Sequence, residues 1–266
     1  MEQYDVIIIG SGPGGYVAAE RAGSLGKRVL LIEREHLGGV CTNRGCIPTK
    51  SLLNGAKLYR HALESSKMGV TADNVRFDVK TAMQWKSETI ETLRSGIKFL
   101  MKNAKVDIVE GEAIFVDAHH VQVSDTIYEG AYLIVATGSS PVVPPIEGAD
   151  GPNVVTSDGI LEISTLPPSL VIIGGGVIGI EFASFFSAVG VKVTVVEMMR
   201  EVLPMMDSQF AKILRREMKD VNFHLGAKVT KITPTGVVFN DAKGKQDTAE
   251  GALVLLSVGR KPNTKG

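Results

Sequence analysis

The chain has 266 residues, 44% hydrophobic and 22% charged, with 29 Lys and Arg against 29 Asp and Glu. That length suggests two domains, and a net charge of zero removes the electrostatic reason to expect a nucleic acid or an anionic membrane as partner. No apolar run approaches the roughly 18 residues of a membrane span, and two cysteines are too few for the disulfide framework of a secreted domain.

The first element starts at once. Met1–Tyr4 leads into DVIIIG with no basic segment or cleavage site, so no signal peptide is expected and a cytoplasmic setting is the default. Residues 6–33, VIIIGSGPGGYVAAERAGSLGKRVLLIE, read as a buried strand, G-x-G-x-x-G, a helix of small and apolar residues, a Gly stop and a strand ending in Glu33. Both cysteines come next, in GGVCTNRGCIPTKSLL at 38–53. Residues 46–65 and 78–104 are expected to be helical, the second carrying Met83, Ile90, Leu93, Ile97 and Leu100 at three-to-four spacing as a packing face. Short strands are expected over 106–136, with turns at DAHH and SDT. The Pro- and Gly-rich stretch 141–153 is the best linker, which puts a domain boundary near 145. From 169 the opening pattern returns, then a helix around 207–219 and alternating strands to 257.

The return is close. LVIIGGGVIGIEFASFFSAVGVKVTVVE at 170–197 aligns without a gap on residues 6–33, with Gly10 on Gly174, Gly12 on Gly176, Gly15 on Gly179 and Glu33 on Glu197. In a βαβ dinucleotide site the first glycine allows a tight turn, the second lets the backbone approach a pyrophosphate, and the third lets helix and strand pack closely. The pyrophosphate sits on the open N–H groups of the helix N-terminus, and the closing acid accepts from ribose hydroxyls. A lone G-x-G-x-x-G also fits an ordinary glycine-rich turn. Strand, helix and acid at the right spacing, twice, point to two dinucleotides, of which a flavin and a nicotinamide are the usual pair. The first lies nearer the cysteines. The carboxylate of Glu197 favours NAD over NADP in the second, against which Arg200 could accept a phosphate.

Cys41 and Cys46 are five residues apart. In a regular helix their Cα atoms would be roughly 8–9 Å apart, beyond the roughly 7 Å a disulfide allows. They can bridge only if the intervening backbone is not regular helix, and Thr42, Asn43, Arg44 and Gly45 are suited to a turn. Pro48 fits the first turn of a following helix, which puts Cys46 at its N-terminus, where the dipole favours a thiolate; Lys50 adds positive charge. Buried free cysteines are the plain alternative. A metal site has only two ligands here, with no further pair at suitable spacing.

These segments together resemble the flavin-dependent pyridine nucleotide–disulfide oxidoreductases. The likeness rests on GSGPGG, on GGVCTNRGCIPTKSLL, on EGEA at 110–113, IVATGS at 134–139, GGGVIGIEFA at 174–183 and SVGRKPN at 257–263. Within the family, the branch that oxidises dihydrolipoamide is the best match. The resemblance implies an α/β fold of two Rossmann-like domains, 1–145 for FAD and 146–266 for NAD. It implies that Gly10, Gly12, Gly14, Gly15 and Glu33 hold FAD, with Gly111 and Ala113 near the adenine, Lys50 near the flavin ring, and Thr137 and Gly138 closing the site. Gly174, Gly176, Gly179 and Glu197 would hold NAD, with Val229 and Gly259 beside it. Cys41 would exchange with the substrate and Cys46 contact the flavin, the two forming a redox disulfide. Glu181 would pair with Lys50 at the flavin–nicotinamide junction.

Partners implied by the same likeness are lipoamide or the lipoyl domain of a 2-oxo acid dehydrogenase or glycine cleavage complex, and a second copy in a homodimer. Family chains continue past the equivalent of Gly266 into the rest of the flavin domain and an interface domain bearing an acid–base His, so this chain is expected to be C-terminally truncated. None of His36, His61, His119, His120 or His224 stands in such a motif. Two alternatives stay open: a relative acting on another small disulfide or mercuric ion, and a nucleotide-binding module without turnover.

Overall fold

The computed structural model describes residues 2–265. In chain order these form strand β1 (Glu2–Ile9), helix α1 (Pro13–Ser24), β2 (Val29–Glu33), α2 (Gly39–Arg44), α3 (Cys46–Glu64), α4 (Val79–Asn103), β3 (Asp107–Glu110), β4 (Ala113–Phe115), β5 (His120–Val123), β6 (Thr126–Val135) and β7 (Ser139–Pro141). Then come β8 (Val154–Thr156), β9 (Ser169–Ile173), α5 (Val177–Ala188), β10 (Lys192–Glu197), α6 (Ser208–Glu217), β11 (Val221–Leu225), β12 (Lys228–Thr233), β13 (Gly236–Asn240), β14 (Gln246–Glu250), β15 (Leu253–Leu256) and β16 (Arg260–Pro262). Two compact units result: 2–48, 86–140 and 261–265 in the first, 49–85 and 141–260 in the second. The change of unit after Ser140 falls at the start of the Pro- and Gly-rich stretch.

The first unit is built on a six-stranded sheet, ordered β3-β2-β1-β6-β5-β4. β1 runs parallel to β2 and β6, and β3 parallel to β2, while β4, β5 and β6 pair antiparallel. Ile7–Ile9 and Leu30–Ile32 are buried without alternation, as strands covered on both faces must be. One face packs Ile8, Val29 and Leu31 against Ala19 of α1 and Ile97 and Met101 of α4; the other gathers Ile7, Ile9, Leu30 and Ile32 with Val121 and Val123. The buried stripe of α4 is Ile90, Ile97 and Met101. Leu93 and Leu100, expected on that face, are exposed: the stripe in contact follows Ile90 by seven and eleven residues, so it turns with the helix away from them.

The second unit has a five-stranded, wholly parallel sheet, β11-β10-β9-β15-β8. On one side α5 buries Phe182, Phe185 and Phe186 together with Leu52 and Ala56 of α3. On the other, the antiparallel sheet β12-β13-β14 supplies Val229, Ile232, Val237 and Phe239 against Val171, Ile173, Val196 and Val254. Each unit is thus a layered α/β body around parallel strands.

Candidate functional site: two glycine loops and a cysteine pair

The two repeated segments fold alike down to single hydrogen bonds. The Gly10 N–H donates to Ile32 O at 2.8 Å, and the Gly174 N–H to Val196 O at 2.9 Å. Ala136 N–H caps Ile9 O, and Ser257 N–H caps Ile173 O. Gly10 and Gly174 turn with φ of +97° and +107°, and an added Cβ would lie 2.3 Å from Ala136 O or 2.5 Å from Ser257 O. Gly15 and Gly179 are where helix meets strand: a Cβ there would stand 1.8 Å from Gly10 O and 2.2 Å from Gly174 O. Around Gly14 and Gly176 there is open space, and at Gly12 a Cβ would meet only the Gly39 Cα, at 3.9 Å. Both helices, twelve residues each, begin without a side-chain cap. An uncapped helix N-terminus behind a side-chain-free loop suits a pyrophosphate, so the residues fit a dinucleotide in each unit.

The closing acids sit at the strand ends, as expected, but are engaged with the loops. Glu33 Oε2 accepts from Ser11 N–H at 2.9 Å and from Ser11 Oγ at 2.6 Å, while Oε1 accepts from Glu35 N–H. Glu197, 8% exposed, accepts from Gly175 N–H at 2.5 Å and Met199 N–H at 2.6 Å. The spacing of glycine and acid foretold the pairing of ends but not this brace. A carboxylate offers about four lone-pair sites, so each acid keeps acceptor capacity for a ribose.

Gly111 follows β3 with φ +153° and donates to Glu33 O, next to Ala113 at the start of β4. Thr137 and Gly138 follow β6 and are held by Asn263, which sequence reasoning left among the motif letters of SVGRKPN. Thr137 Oγ1 donates to Asn263 O at 2.7 Å, Asn263 Nδ2 donates to Thr137 O at 2.8 Å, and Asn263 N–H donates to Gly138 O. In the second unit Gly259 takes φ +125° with open space beside it. The side chain of Val229 is packed in the core, so only its main chain can serve a ligand. Arg200 is exposed.

The cysteine segment lies against the first loop. Gly38 N–H donates to Ser11 O at 3.0 Å, and a Cβ on Gly39 would be 2.5 Å from Gly12 Cα. Cys41 lies inside α2 and Cys46 opens α3; both are thiols, Cys46 exposed and Cys41 half-buried. The helix breaks between them, at Gly45 with φ −146° and ψ −110°. Thr42–Arg44, expected to turn, are helical instead. Asn43 uses its amide on the carbonyls of Leu37 and Gly39, at 3.0 and 2.8 Å, and so bonds back along the helix rather than competing with it. Lys50, on the second turn of α3, meets Glu181 of α5 with Nζ 2.6 Å from Oε1, both within the second unit. Among the described residues no group of three or more His, Cys, Asp or Glu side chains could hold a metal, and no helix is long and apolar enough to cross a membrane.

Two glycine loops on parallel strands, one with a cysteine pair against it, define the class: an α/β protein of the two-dinucleotide type. The pyridine nucleotide-disulphide oxidoreductase profile matches residues 4–266, and the chain belongs to that family. It is 41% identical to the dihydrolipoyl dehydrogenase of Acholeplasma laidlawii, over 100% of this chain and 81% of that one. It is 40% identical to the dihydrolipoyl dehydrogenase of Bacillus subtilis, over 98% of this chain and 57% of the relative. Among solved structures, the Cu(II) complex of the HOCl-induced flavoprotein disulfide reductase RclA from Escherichia coli superimposes with a TM-score of 0.83 at 33% identity, over 99% of this chain and 58% of that one. The chain therefore spans a little over half the length of several relatives it matches. Family and fold are those of the flavoprotein disulfide reductases, whose members use FAD and NAD(P).

Proposed function

We propose that this chain carries the nucleotide-binding and dithiol part of a dihydrolipoamide dehydrogenase, which oxidises dihydrolipoamide to lipoamide with NAD as acceptor. The observation that carries the reading is the seat of the cysteine segment on the first glycine loop, Gly39 against Gly12. Any dinucleotide held at α1 has the dithiol for a neighbour. In this reading residues 1–145 hold FAD and 146–266 hold NAD, through the glycines and acids already described. FAD, when bound, supplies two-electron carriage between the dithiol and the nicotinamide.

The chain's own part in the chemistry is thiol–disulfide exchange. A dihydrolipoamide thiolate attacks Cys41 Sγ of the Cys41–Cys46 disulfide, and the S–S bond breaks with Cys46 leaving as a thiolate. The second substrate thiol then displaces Cys41 from the mixed disulfide. Lipoamide departs, and both cysteines are left reduced by two electrons. Cys46, the leaving sulfur in this step, is the first residue of a 19-residue helix. Lys50 balances charge one turn along, and Glu181 fixes the ammonium through its 2.6 Å contact. The buried Glu197 carboxylate opposes a 2′-phosphate, which supports NAD over NADP. The partners in this reading are a lipoyl group, free or on the lipoyl domain of a 2-oxo acid dehydrogenase or glycine cleavage complex, and a second copy of the chain. A cytoplasmic setting goes with it.

The test is a visible spectrum of the purified chain before and after anaerobic NADH or NADPH. A flavin band bleached faster by NADH, with a long-wavelength thiolate-to-flavin feature lost in Cys46→Ser, supports the reading. A protein that takes up no flavin when supplied with FAD overturns it for this chain and leaves the nucleotide-binding module without turnover. The likeness to RclA favours, second, a reductase of another small disulfide or metal ion; faster turnover with such an acceptor than with lipoamide would select it.

A further inference from the structure

Asn43 lies between the two cysteines, is 8% exposed and has its whole side chain engaged. Its Nδ2 donates to Leu37 O and Gly39 O, with His36 O at 3.5 Å, and its Oδ1 accepts from Arg94 Nε at 2.5 Å. Arg94 comes from α4, 51 residues along the chain but in the same compact unit. Its side chain is 28% exposed, and Glu91, one turn back on α4 and 67% exposed, contacts its Nη1 at 3.4 Å.

The two ends of the Asn43 amide are therefore sorted by their partners, carbonyls at the nitrogen and a guanidinium at the oxygen. Remove Arg94 and a buried acceptor loses its donor, so the amide is no longer held in that orientation. The consequence reaches the cysteines because α2 has only six residues, too few to be stable as a helix by itself. Its start is two left-handed glycines, Gly38 and Gly39 at φ +95° and +57°, and the carbonyls that Asn43 grips are those of Leu37 and Gly39, on either side of that turn. We infer that Arg94 is a positioning residue for the Cys41–Cys46 couple, acting through Asn43 to hold α2, and with it Cys41, in one place relative to Cys46. The inference rests on the proposed redox role of the pair.

Closing the disulfide is an intramolecular step: the two thiols and one glutathione disulfide give the Cys41–Cys46 bond and two glutathione thiols, two electrons and two protons passing to glutathione. Its equilibrium constant scales with the effective concentration of one protein thiol at the other. Loosening α2 spreads Cys41 over more positions and lowers that constant. The experiment equilibrates the full chain in glutathione buffers of graded ratio, traps with acid and counts free thiols by mass spectrometry.

Arg94→Ala is expected to lower the constant about tenfold, a rise of about 30 mV in the potential, with an unchanged circular dichroism spectrum. Arg94→Lys, which keeps one donor, falls between, and Glu91→Gln, which leaves the Arg94–Asn43 bond in place, matches the wild type. A folded Arg94→Ala with the wild-type constant overturns the inference while the redox reading stands. Where Arg94→Ala does not fold, Arg94→Lys decides: a constant within twofold of wild type overturns it. A wild-type chain that forms no Cys41–Cys46 disulfide in any buffer removes the redox reading, and the inference with it.

Discussion

Gly176 and Gly179 are three residues apart in the second glycine loop, and the structure gives them opposite work. Gly179 sits where α5 crosses β9: a methyl there would lie 2.2 Å from Gly174 O, 2.5 Å from Ser257 Oγ and 3.2 Å from Ile172 Cγ2. Two of these neighbours are themselves tied, Ser257 Oγ to Gly174 O at 3.1 Å. The Gly174 carbonyl is main chain and cannot rotate away, so α5 must back off by about 1 Å from a sheet it covers with three buried phenylalanines. Overpacking of this kind costs roughly 1–3 kcal/mol and occasionally more, offset by up to about 1 kcal/mol from replacing Gly in a helix by Ala. Gly179→Ala should therefore lose about 2 kcal/mol, read as a fall of about 1 M in the urea midpoint at a slope near 2 kcal/mol/M. Gly176 has φ −70°, ψ 179° and nothing within 4 Å. Gly176→Ala should keep its midpoint within about half that shift, yet weaken NADH at least about tenfold, because its methyl stands where the nucleotide backbone must approach. Equal midpoint shifts in the two variants, or a Gly179→Ala chain as stable as wild type, would refute this division.

Three further outcomes come from the same geometry. Phe185 is 1% exposed, with ring contacts to Phe186 and Phe77 at 4.9 and 6.0 Å; Phe185→Ala should cost about 3–5 kcal/mol in urea titration, and a loss under 1 kcal/mol would deny that α5 anchors its unit. Arg215 binds both oxygens of Glu201, at 2.8 and 3.1 Å, and holds that carboxyl below its ordinary range. Its stabilisation is complete above the unfolded carboxyl value of roughly 4.3 and is lost as pH falls through the lowered folded value. Glu201→Gln should thus be less stable than wild type at pH 7, by about 1–3 kcal/mol, with the gap closing below about pH 4; a gap independent of pH would refute the pairing. Lys50 is 57% exposed, so Glu181→Gln should change stability by less than about 1 kcal/mol while slowing NADH-dependent reduction of the dithiol, and a stability loss without a rate effect would make the pair a structural one.

The repeat was legible because its constraints are local and backbone-borne. Only glycine takes φ +97° or +107° beside a carbonyl, as at 10 and 174, and only glycine leaves room for the carbonyls that Gly15 and Gly179 face, so the letters at 10, 15, 174 and 179 carry the geometry directly. The helices and parallel strands read from apolar runs for the same reason. What stayed hidden depended on choices between partners distant in sequence. Asn43 is a turn residue by habit, and became helical because Arg94, 51 residues on, occupies its oxygen while helix-start carbonyls take its nitrogen. Asn263 looked like one letter of a motif and ties residues 137, 138 and 140. The exposure of Leu93 and Leu100 could not be read from periodicity, since a three-to-four spacing names a face without naming what covers it.

The likeness of the two copies also extends beyond what the aligned letters reveal. Ser11 and Gly175 occupy matching places, each just after the first glycine of its loop, and each donates its N–H to its acid, Glu33 or Glu197. Their carbonyls are used alike as well. Ser11 O accepts from Gly38 N–H at 3.0 Å and Gly175 O from Leu203 N–H at 2.8 Å, so each loop tethers the segment that leaves its second strand. Both tethered residues have positive φ, +95° at Gly38 and +51° at Leu203, a costly conformation for leucine that the tether and its burial must hold. From that shared anchor the copies diverge. In the first, the tethered residue leads into the cysteine helix; in the second, it leads into a loop on the way to α6 and stands two residues after Glu201, which Arg215 of α6 binds. One shared hydrogen bond thus brings a cysteine pair to the first glycine loop and only a structural strap to the second. That divergence downstream of the anchor favours the first loop as the seat of the nucleotide that trades electrons with sulfur.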